Sequence, residues 1–545
     1  MADLVDTKSF SKSYTGVELQ WVEKPGLWGR IALGAIVLLS IFMNFFQLGQ
    51  NGYGNLYYAS GVRSMADNWH NFFFVSFDPG GFVSIDKPPL GFWLQTLSTK
   101  IFGFTAFSIF LPQALCGVLA VVVLYSLVKR HFGVVAGLIA ALVLAITPIT
   151  VVTVRNNTID GTLALVLLLS AWAVIHAAET GKLRWLMLTA VFVGLGFNVK
   201  MAEAYLVVPA LGLTYLLCAP SKLWTRIWHL LLALLVMLII SLSWAAAVDL
   251  TPASMRPYVG STQDNSELDL AFGYNGLSRL RIGGNGRNGF GGGTRNIRTS
   301  TDSAETSAAS TTTTTTTTTT HTQTLSAGAE GPGTSAATGG TGTTRGYRAG
   351  GGGGAAAGFQ TGAIGPFHLF SSSLGSQIAW LLPFALLAII ALAWQRHFRF
   401  QQDQQQLGLV LWGVWLLAMA IFFSADASFH QYYMTEMAPG LSALVGIGVV
   451  VMWHDYRGRS WHGWLLPIAL AITAATQIYM LTSYPSWSQW LSPLIGIGTA
   501  IIVIALLFFR LRPRSDVRKP LFTMGRAAVS LGILLLLVAP AIWSG

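Results

Sequence analysis

Stretches of about twenty apolar residues recur along the whole chain, and they constrain its fold more than any other feature. A helix needs roughly 20 such residues to cross about 30 Å of hydrocarbon, and inside lipid every backbone N–H and C=O must be satisfied within the segment. Runs of this kind fall near 31–48, 105–127, 133–154, 161–178, 185–199, 204–219 and 227–249, and again near 376–395, 407–424, 435–453, 462–482, 489–509 and 524–543. They predict about thirteen transmembrane helices, with the short runs 185–199 and 204–219 also readable as one broken helix pair. Charged residues make up only 10% of the 545 while hydrophobic residues make up 53%, against roughly 25% charged in a soluble domain. The fold class expected is therefore an all-α polytopic membrane protein.

Lysine and arginine set the orientation. With the N-terminus inside, the inner loops carry Lys8, Lys12, Lys24, Arg30, Lys129, Arg130, Lys182, Arg184, Lys222, Arg226, Arg396, Arg399, Arg457, Arg459 and the basic cluster from Arg510 to Arg526. The reverse orientation would export all of them. The polar first thirty residues lack the small-residue cleavage pattern of a signal peptide, so the first span is expected to remain as an anchor. The expectation is a multi-pass protein of the cytoplasmic (inner) cell membrane, with a cytoplasmic N-terminus and an extracytoplasmic C-terminus. The net charge of +11 does not point to nucleic acid, because the basic residues sit between spans rather than on one face. Cys116 and Cys218 lie in apolar runs and imply neither a disulfide framework nor a cysteine metal site.

Four regions follow. Residues 1–30 form the cytoplasmic tail, and 31–281 an N-terminal transmembrane module that contains a long first external loop, 49–104. Residues 365–545 form a C-terminal transmembrane module. Between the modules, 282–364 hold Gly-rich tracts and the run Thr311 to Thr320 with almost no large apolar residues. Such a segment cannot bury enough surface to offset its chain entropy and reads as a disordered external loop.

The first external loop is the most informative stretch. A connection needs only a few residues, whereas this one is rich in aromatics and runs through Asn51-Gly-Tyr-Gly-Asn-Leu-Tyr57-Tyr58, Arg63, Asp78-Pro-Gly-Gly and Asp86-Lys87-Pro88-Pro89. An amphipathic helix is expected from about 56 to 69. A second, interfacial helix is expected after the prolines, with Trp93 at headgroup level. Two prolines stiffen the backbone beside Asp86-Lys87. An ammonium there is suited to a lipid phosphate, and the carboxylate to a divalent metal ion or a proton; an ordinary ion pair is the plainer alternative. Asp160 follows Asn157-Thr158 at the start of a span, where a carboxylate also complements the helix dipole. Lys200 and Glu203 interrupt an apolar stretch, and ionisable groups at that depth face a cavity or each other. Further external candidates are Asp264 with Glu267 and Asp269, and Asp426 with His430, Tyr432, Tyr433 and Glu436.

These residues together resemble the family 39 glycosyltransferases of the C-type membrane superfamily, in the bacterial mannosyltransferase-like branch related to the aminoarabinose transferase. The resemblance covers nearly the whole chain outside 282–364. It implies transfer of a hexose or pentose from a polyprenyl-phosphate donor to a protein, lipid or cell-envelope acceptor at the extracytoplasmic face. It implies Asp86, Asp78 and Asp160 as catalytic carboxylates, with Asp86 at the position tied to a metal in the aminoarabinose branch. Lys87, Arg63 and Lys200 become donor-phosphate cations, and Tyr57, Tyr58, Asn157, Asp264, His430 and Tyr433 line the substrate cavity. Many members carry an Asp-Glu pair where this chain has Gly54-Asn55. On the residues alone two other readings stay open, a transporter or flippase for a lipid-linked or polar solute and a catalytically inactive membrane scaffold.

Overall fold

Backbone satisfaction in lipid leaves only helices here, and helices are what the chain forms. The computed structural model describes residues 26–277, 364–394, 400, 404–426, 429–458, 460–511 and 519–545. Most of the expected cytoplasmic tail and nearly all of the 282–364 insert lie outside the described residues. Among those described, eleven helical stretches are long and apolar enough to span a membrane. The N-terminal half contributes α1 (Leu27–Phe45), the loop helices α2 (Leu56–Asp67), α3 (Trp69–Phe73) and α4 (Leu90–Phe102), then α5 (Ala106–Ala145) and α6 (Pro148–Val154). After these come α7 (Asp160–Thr180), α8 (Leu183–Lys200), α9 (Val208–Cys218) and α10 (Leu223–Leu250). The later spans are Gly375–Trp394, Gln405–Ala425, Gln431–Gly458, Trp461–Leu481, Pro485–Leu511 and Met524–Ser544.

Eleven stretches accommodate thirteen apolar runs because two of them are double. In α5, Gly133 has φ 85° and ψ 172°, a backbone region essentially reserved for glycine. A Cβ on Gly137 would lie 2.9 Å from the carbonyl oxygen of Tyr125, although twelve residues of continuous helix would part them by about 18 Å. The chain therefore reverses at Gly133, and the runs 105–127 and 133–154 are two arms of a hairpin. We expect Gly133→Ala to cost about 1–3 kcal/mol, read as a lower unfolding midpoint of the purified protein; an unchanged midpoint would remove the conformational argument.

The second double stretch, Leu183–Cys218, breaks after Lys200. Met201 takes φ 50°, an uncommon conformation for a residue with a side chain. Residues Met201–Val207 then wind as a 3₁₀ turn before α9 begins at Val208-Pro209. The span Gln431–Gly458 repeats the device, with a 3₁₀ turn over Gln431–Met437 followed by a helix from Ala438-Pro439. Proline suits both starts, since the first N–H groups of a helix have no partner inside it. Across the first break Lys200 meets Glu203 as an i, i+3 ion pair at 2.9 Å, and the second turn carries Tyr433 and Glu436 three residues apart.

Small residues let the two halves of the chain pack closely, as in other membrane bundles. A Cβ on Gly446 would approach the Ala136 carbonyl oxygen to 2.3 Å and the Ala140 nitrogen to 2.9 Å. Thr435 Oγ1 bonds Thr153 Oγ1 at 3.0 Å across the same contact. Along α7, about 30 Å of helix separates two charged clusters. At one end Glu179 accepts from Arg130 Nε (2.8 Å), Arg130 Nη2 (2.5 Å) and His131 Nε2 (2.8 Å). At the other lies Asp160.

Candidate active site

The first-loop residues gather at the Asp160 end of α7. Asn55 caps α2, its Oδ1 accepting from Tyr57 N at 3.0 Å and Tyr58 N at 3.4 Å, as a short polar side chain does at a helix start. Asn157 locks this cap in place: its Oδ1 accepts from Asn55 N at 2.9 Å and its Nδ2 donates to Asn55 O at 2.7 Å. Gly54 sits at φ 69°, where a Cβ would come within 2.5 Å of Asn156 Oδ1. The Gly54-Asn55 pair is therefore a structural joint between the loop and α7, and Asn157 serves that joint.

Asp86 and Lys87 stand on a short, pinned segment. Val83 pairs in parallel with Tyr258; Ser84 N donates to Tyr258 O at 2.9 Å and Tyr258 N to Phe82 O at 2.7 Å. Asp86 N donates to Tyr57 Oη at 3.1 Å. Lys87 Nζ reaches Asp86 Oδ2 at 2.9 Å and Asp86 O at 3.1 Å. From Pro89 onward α4 turns Phe92, Gln95, Thr96 and Thr99 inward, a helical stripe at i, i+3, i+4 and i+7. Gln95 Nε2 donates to Asn157 O at 3.0 Å.

The second half of the site is a buried charge cluster. Lys200 Nζ, at the end of α8, donates to Asp160 Oδ1 and pairs with Glu203 Oε2 at 2.9 Å. The ammonium also lies 3.8 Å from the ring centroid of Tyr433 and 4.8 Å from that of Tyr432, a cation–π geometry. Glu436 completes the group: one oxygen from each of Asp160, Glu203 and Glu436 lies within 4.8 Å of the others. Tyr58 stands between the two halves. Burial, and after it the negative charges of Asp86 and Asp160, holds its hydroxyl well above the usual tyrosine range. It keeps its proton between both carboxylates.

Other expected site residues are placed differently. Both Asp78 carboxylate oxygens accept from backbone N–H groups, Phe82 N at 3.0 Å and Val83 N at 2.9 Å among them, so Asp78 stabilises its own turn. Arg63 is exposed and lies over the Phe104 ring at 5.3 Å. His430 stacks on Tyr432, ring centroids 5.0 Å apart and 7° from parallel. Asp264 is exposed on the loop after α10.

Two residues of that loop region matter more. Asp249, in the last turn of α10, accepts from Ser266 Oγ (2.7 Å), Glu267 N (2.8 Å) and Leu268 N (3.1 Å) and pairs with Arg256 at 3.4 Å. It fixes Glu267, which is fully buried and whose carboxylate oxygens have no hydrogen-bond partner among the described residues. Burial first, then Asp249 and Asp86, push the Glu267 carboxyl well up. A folded-state value above the unfolded value of about 4.3 gives stability that is present below pH 4.3 and lost as pH rises through the folded value. Glu267→Gln escapes that loss. We expect its unfolding midpoint to exceed the parent's at pH 8 and to match it at pH 4; equal differences at both would exclude the linkage.

Asp86 was expected to hold a metal. Among the described residues the group of three carboxylates close enough to hold one is Asp160, Glu203 and Glu436. Lys200 already lies against two of them, so the residues as they stand do not fit a resident divalent ion.

A buried ion cluster thus lies at one end of the helical bundle, beside an aromatic loop with a pinned Asp-Lys pair, and comparison gives the class of the chain. Residues 86–244 match the family described as "Dolichyl-phosphate-mannose-protein mannosyltransferase". The chain is 39% identical over 531 residues to "Putative mannosyltransferase YycA" of Bacillus subtilis (strain 168), covering 94% of this chain and 76% of that protein. It is 40% identical over 548 residues to "Putative mannosyltransferase YkcB" of the same strain, covering 94% and 74%. The fold is similar to that of ArnT from Cupriavidus metallidurans bound to undecaprenyl phosphate, with a TM-score of 0.51 and 16% identity over 95% of this chain and 77% of that one. The chain belongs to the family 39 membrane glycosyltransferases of the C-type superfamily.

Proposed function

We propose that this protein moves a sugar, a hexose or pentose, from a polyprenyl-phosphate-linked donor to an acceptor hydroxyl at the extracytoplasmic face of the cell membrane. Family membership supports the glycosyl transfer, and the likeness to ArnT, which was crystallised with undecaprenyl phosphate, supports the donor class. The observation that carries the reading is the Asp86–Lys87 pair, 2.9 Å apart and pinned between Tyr57 and the Tyr258 segment at the end of α7 that holds the buried cluster. The distribution of lysine and arginine along the chain supports reading that end as the outer one.

The step we assign is a single inverting displacement. The acceptor oxygen attacks the anomeric carbon as the bond from that carbon to the phosphate oxygen breaks, and Asp86 takes the acceptor's proton. The electron pair leaves with the lipid phosphate, and Lys87 stabilises the charge that grows there. Asp78 is less suited to be the base, because its oxygens already serve a turn. Arg63 stands where a second cation could meet a headgroup, and Tyr57 and Tyr58 flank the base. Incubating purified protein with radiolabelled polyprenyl-phosphate sugars and an envelope extract is expected to give labelled acceptor. No transfer from any donor, together with solute uptake in vesicles, would replace this reading with a transporter.

A further inference from the structure

Three carboxylates and one ammonium share the interior at the Asp160 end of α7, and the imbalance calls for an explanation. Asp160 and Glu436 are fully buried, and the Glu203 side chain is 8% exposed. Neither Asp160 Oδ2 nor either carboxylate oxygen of Glu436 has a hydrogen-bond partner among the described residues. Oxygens of all three side chains lie within 4.8 Å of one another. Hard anionic oxygens at this spacing suit a hard cation such as Mn²⁺, Mg²⁺ or Ca²⁺. The cation actually present is Lys200. Its ammonium bonds to Asp160 and Glu203, and the ring of Tyr433, 3.8 Å away, closes the remaining side.

We infer that Asp160, Glu203, Glu436 and the Tyr433 ring form a cation-binding cage whose resident ion is the chain's own Lys200 ammonium, so that a divalent ion binds there only when Lys200 is removed. The backbone supports the arrangement. The positive φ of Met201 and the 3₁₀ turn after it bring Lys200 and Glu203 onto one side, and the matching turn at Gln431–Met437 brings up Tyr433 and Glu436. With its side chain 3% exposed, Lys200 is occupied in the cage. Arg63, by contrast, is exposed. The inference concerns cation binding and does not rest on the sugar-transfer reading.

The test uses the full-length protein in detergent with Mn²⁺ alone as probe, reading bound Mn²⁺ by electron paramagnetic resonance and stability by thermal unfolding. The parent protein is expected to bind no Mn²⁺ that depends on Glu436, and its midpoint should ignore EDTA. Lys200→Ala should take up one Mn²⁺ per chain at least tenfold more tightly than the parent and unfold at higher temperature with Mn²⁺ than without. Adding Glu436→Gln to that variant should abolish both effects. If Lys200→Ala does not accumulate, Lys200→Gln is carried through the same titration. The inference is overturned by Mn²⁺ binding in the parent that Glu436→Gln removes, or by a folded Lys200 variant that binds no Mn²⁺. Binding indifferent to Glu436→Gln overturns it too, as does failure of both Lys200 variants to fold with Mn²⁺ present.

Discussion

Asp86→Asn is expected to lower sugar transfer by about 10²–10⁴-fold, the range for loss of a positioned general base, while the protein still inserts and folds. The amide keeps the shape of the carboxylate and an oxygen for Lys87 Nζ, which sits 2.9 Å from Asp86 Oδ2, but it no longer takes a proton. Lys87→Ala is expected to cost transfer about 10²–10³-fold, as removal of one preorganised charge-stabilising group does. The two losses should differ in kind. The Asn variant should bind donor normally and turn over slowly, whereas the Ala variant should lose turnover most with the donors whose leaving phosphate needs most stabilisation. Transfer from radiolabelled polyprenyl-phosphate sugar, corrected for folded protein by size-exclusion chromatography, measures both. Full activity in both variants would remove the first loop from the mechanism.

Much of the bundle was legible in the sequence because lipid leaves little choice: an apolar run of sufficient length must be a helix. The places where a helix turns back or breaks were legible as interruptions of the apolar runs, but their backbone conformations were not. Lys129, Arg130 and His131 part the runs 105–127 and 133–154, while hydropathy does not register the φ angle by which Gly133 turns the chain between them. The break after Lys200 was visible as a charged pair in an apolar run, but the conformation of Met201 was not. At the site, the first-loop residues stood out because a long aromatic loop is unusual. Their separate tasks did not, since Asp78 and Asp86 are the same residue type and only the backbone N–H groups of Phe82 and Val83 commit the first to a turn. Glu203 and Glu436 lie more than two hundred residues apart in the chain, so nothing local announces that they meet. Asp249 passed unnoticed at the end of an apolar run; a carboxylate in the last turn of a span, where a negative charge opposes the helix dipole, was the signal available.

The same charge imbalance fixes an order of stabilities for the buried cluster in metal-free buffer. Removing one partner of a buried ion pair costs about 3–5 kcal/mol, because the charge left behind has neither solvent nor counter-ion. Lys200→Met leaves three carboxylates in that position and should reach the upper end. Asp160→Asn should cost clearly less, since the amide oxygen still accepts from Lys200 and Glu203 remains as counter-ion at 2.9 Å. Glu436→Gln should cost least. Two carboxylates whose oxygens lie within 4.8 Å of each other repel by at least about 3.5 kcal/mol when both are ionised, at an effective dielectric constant of 20, and the Glu436 carboxylate has no hydrogen-bond partner among the described residues to set against that. Neutralising it relieves repulsion and breaks no donor–acceptor contact. Combining Glu436→Gln with Lys200→Met should therefore recover part of the loss of the lysine variant, a departure from additivity that contacting charges show and distant sites do not. Unfolding midpoints of the parent and the four variants at one pH and salt concentration decide the matter. Equal costs for the three single variants, or strict additivity in the double, would mean that Lys200 is not the charge around which the carboxylates are organised.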